Sequence, residues 1–375
     1  MIRTNWYLWQ NSLPSHCPKS DIEMNDLLKK TQAHYRSKSP FVVYAFPNSE
    51  SAIGLFQKNK KTYISEDYSE KGFVFAPFAE GDTLIIPENE TEQIIVKLSE
   101  KTIERHVISP EVNSSEKDTY RSLVETAINF IEQGKASKVV TSRVQQVKLG
   151  NFDLSEIINR LLGLYKTAFR YVWYHPKTGL WCGASPEVLI RINGKEFSTM
   201  ALAGTKKYEE NREPRWTSKE IDEQKYVADA IATKLHAAAS IVKVSKIKNH
   251  RAGSLMHLRT DFTGVFKKGG NNLALLTKAL HPTPAVCGTP QKAAKEFILR
   301  NENYDREYYT GFLGPVSGLK DRSDLYVNLR CMKIGIGTAH LYVGGGITEA
   351  SQPTEEWEET LDKLQTMIQV LAPLI

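Results

Sequence analysis

Glu356 and Glu359 stand three residues apart and Lys363 follows four beyond, so in a helix all three share one face. Just upstream run three consecutive glycines, Gly344, Gly345 and Gly346, after an apolar stretch and before Pro353. Glycine lets backbone approach a ligand and offers N–H donors with no side chain in the way. Two carboxylates and an ammonium beside bare backbone can hold a divalent cation and an anionic substrate together. The plainer account is that acidic residues suit a first helical turn through the macrodipole, and that Glu/Lys pairs decorate solvated faces. A second pair with the same spacing, Glu220 and Glu223, opens another expected helix. Two such pairs facing one another give an oxygen-rich site suited to Mg²⁺.

Other residues have types and places that suit proton transfer or anion binding. Lys138 enters the apolar run that ends at Val144, where a lysine is ordinarily solvated. Glu187 sits between the turn Gly183-Ala-Ser-Pro186 and a second apolar run. Desolvation there would raise its pKa and make it a proton donor; the alternative is a turn carboxylate in water. His257 alternates with apolar neighbours and so points inward, where a hydrogen-bonded core histidine is the default. Arg330 ends the β-like run from Leu325, and a guanidinium there needs a partner such as a bidentate carboxylate. Three prolines and a glycine stiffen the segment His281 to Pro290, which reads as the wall of a site.

The elements that must position these residues follow from periodicity. Before residue 115, short β-like runs recur at Phe41–Phe46, Gly72–Phe78, Thr83–Ile86 and Gln93–Lys97, as in a sheet-rich module. The polar stretch Ser109–Lys117 reads as a linker or surface excursion. A helix over 120–134 closes at Gly134 and leads into the Lys138 strand. Asp153 opens a helix to Lys166, and strands follow at Arg170–Tyr174 and around Gly179–Arg191. Phe197–Thr205 reads as a strand ending in a Gly-Thr turn, after which Thr217 caps a long helix to Ser240. Strands at Ile241–Ile247 and Met256–Gly264, a short helix over Leu273–Leu280 and a helix opened by Thr289-Pro290 come next. A hairpin turning at Gly335–Thr338 returns the chain to the glycine triplet.

Composition sets the frame. A chain of 375 residues makes two domains or one large one, and 41% hydrophobic with 25% charged residues is ordinary for a globular protein with a substantial core. The net charge of +6 is spread along the chain; it suits anionic ligands and is too weak a signal for nucleic acid. No apolar run is long enough to span a bilayer, and the N-terminus from Met1 to Trp6 lacks the plan of a signal peptide. The four cysteines, Cys17, Cys182, Cys287 and Cys331, are far apart without metal-type spacing, as expected of reduced thiols in a cytoplasmic protein.

Taken in order, these stretches resemble the chorismate-utilising enzymes, a family that includes isochorismate synthase, anthranilate synthase component I, aminodeoxychorismate synthase and salicylate synthase. The resemblance rests on Lys138–Arg143, Gly183–Glu187, Leu202–Thr205, Lys219–Glu223, His257-Leu-Arg-Thr260, His281–Gly288, Arg306–Gly311 and Gly344–Lys363. It covers roughly residues 118–370, and the first 115 residues show no match. It implies a single large α/β domain over 1–375, with antiparallel sheets in a sandwich and helices outside, a divergent N-terminal part over 1–115 and a chorismate-binding core over 116–375. It further implies that Glu223 and Glu359 ligate Mg²⁺, with Glu220 and Glu356 supporting through water. Substrate contacts fall to Ala203, Gly204, Thr205, His257, Ala285, Tyr309, Arg330, Gly344, Gly346 and Lys363. One departure is Gln224, where the family usually has histidine after the glutamate.

Three positions sort the subfamilies within this resemblance. Ala203 stands where aminodeoxychorismate synthases carry a nucleophilic lysine. Lys138 stands where anthranilate synthases have glutamine. Ala285 stands where amine-adding enzymes tend to have threonine. All three imply water as nucleophile, hence an isochorismate synthase in which Lys138 is the base and Glu187 the acid, feeding menaquinone or siderophore biosynthesis. Desolvation and neighbouring cations are expected to free Lys138 of its proton. Two rivals stay open: a salicylate synthase that goes on to eliminate pyruvate, and a non-catalytic chorismate-binding subunit. A monomer without an obligate protein partner is the expectation.

Overall fold

A computed structural model describes residues 23–99, 102–106, 108, 114–210, 212–267, 272–318 and 322–375. The N-terminal stretch with Cys17, and residues 109–113 of the polar stretch, lie outside the described residues.

Two antiparallel sheets form the body. The first runs in the order β15 (Gly288–Thr289), β7 (Lys138–Lys148), β19 (Thr338–Ile347), β18 (Cys331–Ile334), β9 (Gly179–Ser185), β8 (Phe169–His175), β1 (Phe41–Ala45), β2 (Ser51–Gln57) and β6 (Thr91–Lys97). The second runs β12 (Ala239–Val244), β14 (Leu255–Phe266), β11 (Glu196–Lys207), β10 (Val188–Asn193), β17 (Ser323–Val327), β16 (Phe312–Ser317), β4 (Lys71–Ala76), β5 (Leu84–Pro87) and β3 (Tyr63–Ile64), with β13 (Lys248–Ala252) paired on β14. Strands from the first third of the chain thus extend both sheets: β1 pairs with β8 and β4 with β16.

Side chains alternate along each strand, so each strand feeds two cores. From β1, Val42 and Tyr44 enter the layer between the sheets with Phe73, Phe75, Trp173 and Trp181, and Phe169 stacks on Tyr326 at 4.0 Å. Phe41 and Val43 face the other way, under α1 (Met24–Arg36), α3 (Leu154–Leu164) and α7 (Pro353–Leu371). The second sheet is covered by α4 (Ser218–Ala238) and α5 (Asn272–Leu280), through Val227, Ile231, Leu235 and Leu276. Beside α7, α2 (Ser114–Glu132) and α6 (Gln291–Asn301) close the far end of the first sheet around Trp357. The sandwich with helices outside is the expected fold. No described helix is long and apolar enough to cross a membrane.

Several local expectations change. The helix expected from 120 begins at Ser114, so Ser114–Lys117 are its first turn and not a linker. β2 and α1 were not expected; β2 mixes Ser51, Gly54 and Gln57 with apolar residues, which obscures its alternation. The Gly-Thr turn at the end of the 197 strand is a β-bulge: register slips between Ala203 and Thr205, Gly204 takes φ +69°, and β11 continues to Lys207. A left-handed residue inside a strand calls for glycine, and it re-aims its neighbours. Arg330 is not inside a strand; β17 stops at Val327, and Arg330 adopts φ +47° in the link to β18. A non-glycine residue in that region is strained and often marks a functional site.

Candidate active site

One cavity gathers Glu187, Ala203, Thr205, Glu223, His257, Ala285, Tyr309, Arg330, Gly344, Gly346 and Lys363. These come from both sheets, from α4, from α7 and from the proline-stiffened loop, so the sandwich edge brings together residues far apart in the chain. Gly204, Lys138, Glu220, Glu356 and Glu359 do not line it; Gly204 and Lys138 contact Glu223, and Glu359 contacts Lys363.

Lys138 opens β7 and is fully buried, because β15 pairs along one side of its strand and β19 along the other. Its Nζ lies 3.0 Å from Glu223 Oε1. Beyond this ion pair, Nζ has no hydrogen-bond partner among the described residues. The expected solvated lysine is absent, and the group facing Lys138 is a carboxylate rather than a cation. Glycine at 346 is required here: a Cβ would sit 2.1 Å from Glu223 Oε1 and 2.8 Å from Lys138 Cε.

Glu187 ends the short link between β9 and β10 and is 2% exposed. Burial pushes its carboxyl up to about 7, against the opposing pull of the Thr283 hydroxyl and the Lys138 charge. Thr283 Oγ1 donates to Glu187 Oε1 at 3.2 Å. A turn carboxylate in water is thereby excluded. The environment is that of a proton donor at neutral pH, within the field of the lysine expected to serve as base.

His257 Nδ1 lies 3.1 Å from the Gly204 carbonyl, which can only accept, so Nδ1 carries the proton. Burial, with Arg330 and Lys363 nearby, holds the ring well below its usual pKa and keeps it neutral. Nε2, without a partner among the described residues, remains an acceptor. Arg330 Nη1 donates to Thr366 Oγ1 at 3.3 Å, and among the described residues no carboxylate pairs with it. The bidentate partner expected from sequence is therefore not supplied by the described residues. Tyr309 stacks on Tyr342 at 5.4 Å, and its hydroxyl would lie 3.1 Å from a Cβ at Gly344. Lys363 Nζ donates to the Gly344 carbonyl at 2.7 Å and to Glu359 Oε1 at 2.6 Å.

The four glutamates divide as two helix openings. Glu220 closes a capping box: its Oε2 accepts from Thr217 N and Thr217 Oγ1, both at 2.7 Å. Glu223 Oε2 accepts from Gly204 N at 3.1 Å, so the bulge orients it. Gln224, in place of the usual histidine, donates to Ala201 O and Thr260 Oγ1, each at 3.2 Å, and fastens α4 to β11 and β14 beside that glutamate. On α7, burial and the neighbouring Glu359 push Glu356 up to about 7. Burial would raise Glu359 too, but Lys363 and Lys219 overcome it and hold that carboxyl low. Among the described residues no three His, Cys, Asp or Glu side chains already converge as a metal set. The donors nonetheless fit a hard cation, since all are carboxylate oxygens, the chemistry such an ion prefers.

Three contributors escaped the sequence reading of the site. Thr283 and Lys219, which pairs with Glu356 at 2.6 Å, lie inside matching stretches, but nothing in their spacing reveals what they touch. Arg306 clamps the site from behind, donating to Glu302, to Val140 O at 2.7 Å and to Val286 O at 3.0 Å. That ties β7 to the 281–288 loop.

Comparison with known proteins agrees with this arrangement. Residues 78–372 match the family described as chorismate binding enzyme, a match that begins inside the portion where the sequence reading found no resemblance. The chain is 32% identical over 265 residues to isochorismate synthase EntC of Escherichia coli K12, covering 68% of this chain and 67% of that protein. It is 31% identical over 275 residues to the salicylate biosynthesis isochorismate synthase of Pseudomonas aeruginosa, covering 70% of this chain but only 57% of that relative's length. Among solved structures, a DhbC-type 2,3-dihydroxybenzoate-specific isochorismate synthase from Bacillus anthracis superposes with a TM-score of 0.75 at 26% identity, over 92% of this chain and 99% of that one. By its matched residues and its fold, the chain belongs to the chorismate-binding enzyme family.

Proposed function

We propose that this chain is an isochorismate synthase that isomerises chorismate in a Mg²⁺-dependent reaction. The observation that carries the reading is Glu187, a buried carboxyl pushed to about 7 in one cavity with Arg330, which pairs with no carboxylate among the described residues, and within the field of Lys138. In this reading Lys138 Nζ takes a proton from water as its oxygen bonds to C2 of the ring. Both ring double bonds shift by one position, C1=C2 to C1=C6 and C5=C6 to C4=C5, the C4–O bond breaks, and Glu187 protonates the departing hydroxyl so that it leaves as water. One water enters and one leaves, so the product is an isomer. Lys138 Nζ stands 3.0 Å from Glu223 Oε1, one of the two carboxylates proposed to hold the metal. Arg330 and Tyr309 receive the enolpyruvyl carboxylate, and neutral His257 offers Nε2 beside the ring. Lys363 and the Gly344–Gly346 backbone serve the ring carboxylate. Mg²⁺ held by Glu223 and Glu359, with Glu220 and Glu356 supporting, would neutralise that carboxylate and fix its orientation.

Ala203 and Ala285 line the cavity, so neither a nucleophilic lysine nor an added hydroxyl stands there. That supports water as the nucleophile. We place the enzyme in the cytoplasm, where its free, buried Cys182, Cys287 and Cys331 stay reduced, at the entry to menaquinone or siderophore biosynthesis. The test is product analysis. Purified protein is incubated with chorismate and Mg²⁺, the acids are separated by chromatography, and pyruvate is assayed in parallel. Isochorismate without pyruvate is expected. Salicylate with stoichiometric pyruvate would reassign the chain to the eliminating enzymes, and no conversion would make it a binder.

A further inference from the structure

Lys219 is the charged side chain of the cluster to which the proposed reaction gives no task. It lies four residues before Glu223 on α4, so the two share a helix face. Its Nζ reaches across to α7 and sits 2.6 Å from Glu356 Oε1. The space around this contact is kept open by Gly345, where a Cβ would lie 2.9 Å from Glu356 Oε2 and 3.8 Å from Glu359 Oε1. Two buried carboxylates one helical turn apart repel unless a cation stands between them. Here the Lys219 ammonium, on its flexible stem, supplies that charge. The Lys219 side chain is 15% exposed where that of Glu356 is 0%, so the lysine has a way out and the carboxylate does not.

We infer that Lys219 is a tethered stand-in for the divalent ion: it occupies the carboxylate cluster when no metal is bound and must leave Glu356 for a metal to enter. The lysine thus keeps the metal-free chain folded and at the same time weakens its hold on the metal. This rests on the proposal that Glu223 and Glu359 hold Mg²⁺. Lys219 is a positioning residue here and touches no reacting atom.

The test is calorimetric titration with MgCl₂ alone, without chorismate, on the wild type, Lys219→Met and Lys219→Arg. Lys219→Met keeps length and removes charge, and its affinity for Mg²⁺ should rise roughly tenfold or more. Lys219→Arg should stay near the wild type. In EDTA, Lys219→Met should melt below the wild type, and the gap should close as MgCl₂ is added. In a Glu356→Gln background, Lys219→Met should leave Mg²⁺ affinity unchanged. A Lys219→Met protein that folds only with Mg²⁺ supports the inference; one that folds under neither condition assigns the lysine a structural role and overturns it. Equal Mg²⁺ affinity in wild type and Lys219→Met removes the stand-in role while leaving the metal site intact. Absence of Mg²⁺ binding in every variant defeats the metal reading and the inference together.

Discussion

Glu187→Gln offers a test of the acid's environment that needs no substrate. The change keeps the side chain's shape and leaves an amide oxygen to accept from Thr283, but it removes a titration buried between β9 and β10. In the folded chain the carboxyl is pushed to about 7, against an ordinary value of 4.5. The folded state therefore holds this proton more tightly than the unfolded state. The stability it contributes is fully present below 4.5 and is lost as pH rises through about 7. At about 1.36 kcal/mol per pH unit, the loss is about 3 kcal/mol. With roughly 2.1 cal/mol/K of unfolding entropy per residue, that is about 4 °C in Tm for a chain of this length. Thermal melts of both proteins at about pH 5 and about pH 8 read the effect directly. The glutamine variant should gain on the wild type by most of that amount between the two conditions. A gap that does not change with pH would refute the reasoning, because Glu187 would then ionise like a carboxylate in water.

In the proposed reaction the same group is the acid: wild-type kcat/KM should then fall above about pH 7, because the acid must carry its proton, and Glu187→Gln should lose both forward and reverse isomerisation. A variant that still equilibrates the two acids would remove Glu187 from the mechanism. Lys138→Ala should abolish conversion by chromatographic assay while chorismate still binds by equilibrium dialysis; substantial retained turnover would withdraw the base. Gly346→Ala places a methyl 2.1 Å from Glu223 Oε1 and 2.8 Å from Lys138 Cε, and the displaced pair should cost on the order of 100-fold in kcat. EDTA should stop turnover and added Mg²⁺ restore it, which a metal-independent enzyme would not show.

Much of this protein was determined by its sequence alone. The openings of α3, α4 and α7 at Asp153, Thr217 and Pro353 and the β-type runs of β7, β8 and β14 are local properties, and local properties are written in neighbouring residues. The candidate site residues were named chiefly through the resemblance to the family, whose motifs are likewise short stretches of neighbouring residues. Tertiary structure decided what surrounds each of them. Lys138 reads as a solvated strand end, but β15, which comes from a loop far along the chain, covers it. Glu187 reads equally well as a turn carboxylate, until β10 and Thr283 bury it. The Gly204 bulge, the left-handed Arg330 and the contact from Lys219 to Glu356 each depend on partners that only packing supplies. Sequence fixes the chemical type of each group, but its burial, and with it its charge state and partners, depends on the long-range approach of two sheets and several helices.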